Sequence, residues 1–304
     1  MQKDQLLTAL NRVEALAKTS RWGRLGAAPL QYIFAILYRE TYYRWTRREI
    51  RIRKRTFYSS IMHLAVPSGM DIYLTGGKTH DSEIRLARFL IKNISEGSGF
   101  LDIGAHYGYF SLLVAKITGE QGRIVSIEAS PANFKNLNQN INGQSNIEAF
   151  NLLASKANAE ARFYEFPNLY SEYNSIDIDQ FREQEWFQHN LPKEIILPAR
   201  RMDDFLNEIK FQPQFIKIDV EGAESLVING LSEYLTQYSP VIMMEVLSAT
   251  RGNESHLQAI NTLYTLGYQT FSIGTDGKRK PVRNVSEYLN VNQLDSDNIV
   301  IMRQ

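Results

Sequence analysis

Cysteine is absent from the 304-residue chain, which excludes disulfides and thiolate-ligated zinc or iron–sulfur centres and fits a reducing compartment. Charge of one sign is lacking too: 34 Lys and Arg against 33 Asp and Glu leave a formal net charge of +1, too little for a surface built throughout to hold nucleic acid. There is no long apolar run. The most hydrophobic stretch, LQYIFAILY at 30–38, falls well short of the ~20 residues that a membrane-crossing helix needs. The opening MQKDQLLTALNRVEALAKTSRWGR scatters charge through an amphipathic pattern, with neither the apolar run nor the small-residue cleavage site of a secretory signal. Internal repeats and low-complexity segments are missing as well. These absences together point to an ordinary globular protein with a cytoplasmic address.

What is present is enough apolar material, 43% of residues, to bury a sizeable core. Residues 1–60 read as a helical N-terminal extension ending in RWTRREIRIRKR, where Arg44, Arg47, Arg48, Arg51, Arg53, Lys54 and Arg55 crowd together. Such a run is either a solvated face or a contact for an anionic glycan, nucleic acid or lipid surface, and the apolar stretch before it admits peripheral membrane contact. A second domain is expected over 61–304. There IMHLAVPSGMDIYLTGG predicts two short strands around a turn at Ser68 and Gly69, and 81–94 predicts a helix capped by Asp81 or Ser82. Strands are then expected at 99–103, 123–128, 147–153, 215–219 and 241–246, with helices at 109–117, 132–142, 202–209, 223–236 and 254–266.

That alternation implies an α/β fold, a mostly parallel sheet with helices on both faces. Two further strand-like segments, GYQTFSIG at 267–274 and NIVIMRQ at 298–304, are joined by a charged stretch without a convincing helical pattern and suit an antiparallel hairpin. They bring the sheet to seven strands with an antiparallel last strand. The segment 166–198, carrying Tyr170, Tyr173, Trp186, Phe187 and His189, is too long for a connection in a compact α/β unit. It reads as an insertion, either a substrate lid or a surface subdomain.

The chemistry concentrates at the strand ends, where open α/β sheets bind their ligands. In GFLDIGAHYGYFSLLVA a strand runs straight into Gly104, Gly108 and a helix, and glycine there lets backbone approach a ligand. This is not the dinucleotide fingerprint, because His106 stands where G-x-G-x-x-G has its second glycine. Asp102 can hold an ammonium group or cap the turn. Glu128, at the end of the next strand, suits both hydroxyls of a ribose, with Ala129 following near where an adenine would lie. In FIKIDVEGAESLVINGL, Asp219 and Glu221 reach the carboxyl edge of the sheet, where two acids can orient a hydroxyl, take its proton or hold a divalent cation. Glu221 can equally complement a helix dipole. Glu245, in the fifth strand, is a further acid, functional or structurally paired.

Three motifs, DIGAHYGYFS at 102–111, SIEASPANFKNL at 126–137 and KIDVEGAESLVINGL at 217–231, resemble those of the FkbM-type methyltransferases. The resemblance implies a Rossmann-like methyltransferase fold, S-adenosylmethionine as cofactor, and methylation of a hydroxyl on a sugar, glycan or natural product. It assigns Asp102, Gly104, Gly108, Ser111, Glu128, Ala129 and Asp219 to the cofactor, and Asp219 with Glu221 to the family's DVEG signature on the catalytic side. His106 departs from the asparagine usual in the family, so it contacts the methionine carboxylate, takes part in proton transfer, or is structural. Glu83 lies where the family often keeps an acid facing the cofactor. A divalent cation is compatible with these acids and not required. Nucleic acid is not an expected partner, since no N-P-P-Y-like tetrad is present. The remaining rivals are a nicotinamide-dependent reductase and a non-catalytic module of the same fold.

Overall fold

The computed structural model describes residues 3–20, 23, 25, 26 and 28–303, so the first two residues, Arg21, Trp22, Arg24, Ala27 and the last position of the strand expected at 298–304 lie outside the described residues. Helix α1 (Lys3–Lys18) buries Leu6, Leu10 and Val13, spaced four and three apart so that they share one face. Helix α2 (Pro29–Leu37) begins with proline in its first turn and continues through a π-helical turn (Tyr38–Tyr43) to Thr46.

The expected helical extension ends there. Ile50–Arg55 forms strand β1, paired antiparallel with β2 (Ile61–Val66). The reason is a two-residue alternation hidden within the charge run: Ile50, Ile52 and Lys54 turn inward while Arg51, Arg53 and Arg55 stay exposed. The expected boundary at 60/61 therefore falls inside one ribbon. A second correction follows Gly69, where Met70–Thr75 is helix α3 rather than a strand, ended by Gly76 at φ +80°. Helix α4 (Asp81–Asn93) has His80 as its N-cap, neither Asp81 nor Ser82, and the cap is made without a side-chain hydrogen bond.

The strands that follow are β3 (Gly99–Ile103), β4 (Arg123–Ile127), β5 (Ile147–Phe150), β6 (Leu153–Ser155), β7 (Ala159–Glu165), β8 (Lys193–Arg201), β9 (Phe215–Ile218), β10 (Val241–Leu247), β11 (Gln269–Ile273), β12 (Arg279–Val282) and β13 (Ser296–Met302). The helices between them are α5 (Tyr109–Thr118), α6 (Pro131–Ile141), α7 (Glu185–His189), α8 (Met202–Glu208), α9 (Glu224–Gly230), α10 (Ser232–Tyr238), α11 (Glu254–Thr265) and α12 (Val285–Val291). The main sheet runs in the order β12-β11-β13-β10-β9-β3-β4-β5, with β10, β9, β3, β4 and β5 parallel and β13 antiparallel to both β10 and β11. This is the α/β, Rossmann-like architecture. Strands β3 and β4 lead the chain one way across the sheet and β9 and β10 the other, so a topological switch point lies between β3 and β9.

The seven expected strands are joined by an eighth, β12, and the charged stretch before β13 holds helix α12, whose Asn284 cap accepts from the Glu287 amide at 3.1 Å. The helix expected over 223–236 breaks into α9 and α10 at Gly230, where any β-carbon would lie 2.0 Å from the Ser155 carbonyl. The expected strand at 147–153 stops at Phe150, and residues 153–155 pass to a separate three-stranded sheet, β6-β8-β7. The 166–198 segment is partly that sheet, since β8 pairs with β7. The rest packs Phe166, Phe181 and Phe187 with Tyr170, Tyr173 and Trp186 into a small aromatic core of its own. Two apolar layers flank the main sheet, one centred on Leu86, Leu90 and Leu113, the other on Ile218, Ile228 and Leu263.

Candidate functional site

A cavity of about 530 Å³ opens at the carboxyl ends of β3, β4, β9 and β10, within the range of ordinary ligand pockets. Its walls divide into two chemically distinct ends.

Glu128 defines the first. It is buried just past β4, where its Oε2 accepts a 2.7 Å hydrogen bond from the His106 amide and its Oε1 a 3.0 Å bond from the Ser130 amide. Each oxygen keeps a lone pair for a ligand hydroxyl. Burial pushes this carboxyl up to about 7, against the two amide bonds that favour the charged form. An apolar slot beside it is lined by Ile127, Ala129, Leu152, Leu153, Ala154 and Phe163. Ser130 caps α6, its Oγ accepting from the Asn133 amide at 3.2 Å.

The second end is acidic. Asp219, Glu221 and Glu245 offer carboxylate oxygens that all lie within 4.8 Å of one another. Burial would raise Asp219, but the Lys217 ammonium 3.1 Å away holds it below the usual carboxylate range. Glu221 is pushed well above that range by burial and by Glu245 and Asp219 beside it. Burial, then Asp219, takes Glu245 up to about 8. Asp219 is thus the member of the trio held toward its charged form, while Glu221 and Glu245 are shifted toward their protonated forms. Glu221 sits at φ +45° and Gly222 at φ +94°, a left-handed pair that swings the chain out of β9, with the Gly222 amide donating to Glu224 at 3.2 Å.

His106, at φ +51°, lies between the two ends. Its ring stacks on Tyr107, centroids 3.9 Å apart, and its Nε2 lies 3.2 Å from Ser171 Oγ. Burial and the nearby Lys78 charge push it down to about 4, so it is a neutral imidazole at physiological pH. Glu83 lines the cavity in an ion pair with Lys78, whose Nζ lies 3.1 Å from both Glu83 and Glu172.

Three expected cofactor residues stand back from the cavity. Asp102 is buried in the sheet, where Ser111 donates to it at 2.6 Å and Lys217 lies 3.6 Å away. Ser111 is committed to Asp102 and to the Ser126 hydroxyl. Gly108, at φ +82°, is held by packing, since an added β-carbon would meet Leu137 at 2.6 Å. Gly104 does line the cavity, yet its φ of +79° and its packing decide its identity: a β-carbon would lie 1.7 Å from the Asp219 carbonyl. The structure thus brings Glu83, Gly104, His106, Glu128, Ala129, Asp219 and Glu221 to one cavity and leaves Asp102, Gly108 and Ser111 behind it.

Sequence reading passed over Lys217, Lys78, Glu172 and Arg251. A lysine inside a buried parallel strand was the legible signal for the first, because it demands carboxylate partners. Glu172 comes from the irregular insertion and gave none. Arg251 reaches the cavity from a short turn after β10, its guanidinium 5.9 Å from the Tyr173 ring.

Among solved structures, the chain is similar in backbone to a methyltransferase FkbM from Methylobacillus flagellatus KT, at 16% identity, TM-score 0.44, covering 77% of this chain and 52% of that one. It is similar to Aeropyrum pernix fibrillarin with natively bound S-adenosyl-L-methionine, at 14% identity, TM-score 0.40, covering 72% and 74%. An O-methyltransferase from Bacillus cereus in complex with SAH is another, at 15% identity, TM-score 0.38, covering 72% and 80%. The chain spans about half the length of the first of these. No curated protein matches it in sequence. The methyltransferase FkbM domain model, however, matches residues 102–270, more than half of the chain and all three motifs at the strand ends. With that match and an α/β sheet whose switch point carries the site, the chain belongs to the FkbM methyltransferase family.

Proposed function

We propose that the cavity binds S-adenosylmethionine and that the protein methylates a hydroxyl of a sugar, glycan or natural product. The observation that carries this reading is the buried Glu128 carboxylate, fixed by two backbone amides beside an apolar slot. A ribose diol can bond its oxygens while an adenine fills the slot between Ala129 and Phe163. A dinucleotide fits less well, since the His106 amide, in the turn where a pyrophosphate would need free donors, is spent on Glu128. S-adenosylmethionine would supply an electrophilic methyl on a sulfonium leaving group.

The protein's own task is then to align an acceptor oxygen. Asp219, charged and held by Lys217, is the base of this pair of ends, and neutral His106 can relay or take the proton. Glu221, shifted toward its protonated form by burial and the neighbouring acids, can donate a hydrogen bond that orients the acceptor. Three clustered carboxyls favour a neutral hydroxyl over a carboxylate acceptor. The same three carboxyls are compatible with a divalent cation, which methyl transfer does not need.

Residues 166–192 serve as a lid in this reading. They are tied over the cavity by Lys78 to Glu172, by His106 to Ser171, and by the Asn168 side-chain Nδ2, which donates to the Tyr107 hydroxyl at 3.0 Å. Calorimetric titration with S-adenosylhomocysteine, with NAD as control, tests the proposal. Binding that is lost in Glu128→Ala is expected; NAD binding, or none by the wild type, overturns it.

A further inference from the structure

Among the described residues, no helix is long and apolar enough to cross a membrane, yet the N-terminal extension leaves a large apolar face uncovered. Along α2, the aromatic side turns in: Tyr38 and Tyr43 are buried with Val66, and Phe34, Ile50 and Ile52 pack on them. On the opposite side Leu30, Ile33 and Leu37 recur at three- and four-residue spacing and are 82%, 47% and 56% exposed. Ile36 is exposed beside them, and Trp45, at the end of the same helical run, is 85% exposed. Apolar side chains concentrated in this way mark an interaction surface rather than scattered exposure.

The charge around this face is one-sided. Between positions 29 and 55 the chain has eight Lys and Arg against two Glu, in a protein whose whole net charge is +1. Arg39, Arg44, Arg47 and Arg48 are exposed on the helical run and the turn after it, whereas Arg51, Arg53 and Arg55 are exposed on the face of β1 opposite the one that Ile50 and Ile52 turn toward α2. Lys54 does not belong with them, because it turns inward to Gln31 at 3.1 Å and to the Tyr73 ring. Exposed aliphatics with a terminal tryptophan and a basic flank are what an interfacial helix presents to anionic headgroups and the acyl boundary beneath them. A second copy of the chain would bring like charge against like. Nucleic acid would account for the arginines but not for Leu30, Ile33, Leu37 and Trp45.

We propose that the α2 face, with Trp45 and the surrounding arginines, docks the protein on an anionic lipid surface. The inner side of the same helical run is fastened to the cavity roof. The Leu169 amide donates to the Tyr43 hydroxyl at 3.4 Å, and Leu169 packs in the Tyr38 cluster two residues before Ser171. A docked protein would therefore hold its cavity roof close to the lipid headgroups, where an amphiphilic acceptor is found. The surface claim stands apart from the methyl-transfer reading and is tested without turnover.

The experiment is co-sedimentation of the full chain with vesicles of phosphatidylcholine alone and with a third phosphatidylglycerol. Binding to the anionic vesicles that weakens with added salt is expected. Ile33→Glu with Leu37→Glu should abolish it, and Arg39→Gln, Arg44→Gln and Arg48→Gln together should weaken it roughly tenfold or more, at about tenfold lost per one to two basic contacts. Because all five positions are exposed, thermal unfolding should be unchanged, and an unaltered melt shows that any loss is not misfolding. Failure of the wild type to bind anionic vesicles would overturn the proposal, as would unchanged binding by the Ile33 and Leu37 variant. Wild-type binding to an oligonucleotide, or dimerisation, that the same substitutions remove in the absence of vesicle binding would assign the face to those partners instead.

Discussion

The amide of His106 lies 2.7 Å from Glu128 Oε2, so the turn after β3 is bolted to the acid that ends the neighbouring strand β4. One hydrogen bond thus aligns the loop between the two ends of the cavity with the carboxylate proposed to hold the ribose. The left-handed φ of +51° at His106 is the local cost of aiming that amide.

Replacing Glu128 should therefore do two things. Glu128→Ala removes both ribose acceptors and orphans the His106 and Ser130 amides, and S-adenosylhomocysteine affinity should fall at least tenfold by calorimetry. Glu128→Gln keeps one acceptor oxygen and should lose less.

Asp219→Asn should separate chemistry from binding. Turnover should drop by roughly a hundredfold, in the range ascribed to general base loss, while cofactor affinity stays within a few fold. Equal loss of both in single-turnover and binding measurements would dissolve the division of roles.

Glu245 couples the site to pH. Its carboxyl is pushed from an ordinary 4.5 up to about 8, so the folded state holds a proton that the unfolded state releases. Its contribution to stability is fully present below about pH 4.5 and is lost as pH climbs toward 8. Glu245→Gln should accordingly be more stable than wild type at pH 8–9, by roughly 1–3 kcal/mol, with little difference at pH 4.5. Denaturant midpoints across that range measure it, and magnesium should narrow the difference only if a cation enters the acid cluster.

The proposed lid depends on Lys78. Its ammonium is shared by Glu83 of α4 and Glu172 of the insertion, each at 3.1 Å. Glu172→Gln should raise the acceptor KM several-fold with less change in kcat, and limited proteolysis should cut 166–192 faster. Glu172 is half exposed, so its global stability effect should be under about 1 kcal/mol.

Gly104→Ala combines two penalties, a left-handed φ of +79° and a β-carbon 1.7 Å from the Asp219 carbonyl. The strand ends of β3 and β9 would have to part, and a loss of roughly 3 kcal/mol or more in chemical denaturation is expected.

By itself, the sequence determined the α/β alternation, the mostly parallel character of the sheet, the antiparallel close and the three strand-end motifs. These are local properties: hydrophobic periodicity and turn residues are written in consecutive positions. It also determined which acids stand at the carboxyl edge, because a strand's end is a sequence landmark. Tertiary structure decided what those acids face. Asp102 reads as a cofactor ligand, and only the fold places Lys217 and Ser111, contributed by β9 and α5, around its carboxylate. Likewise Glu172 and Arg251 join the cavity only because distant loops fold over the switch point. The run Ile50–Arg55 became a strand because β2 offers it a partner across a turn, a long-range pairing that outweighed the helical look of its charges. A residue's type and neighbours in sequence set what it can do; its protonation and its ligand are set by burial and charge brought from elsewhere in the chain.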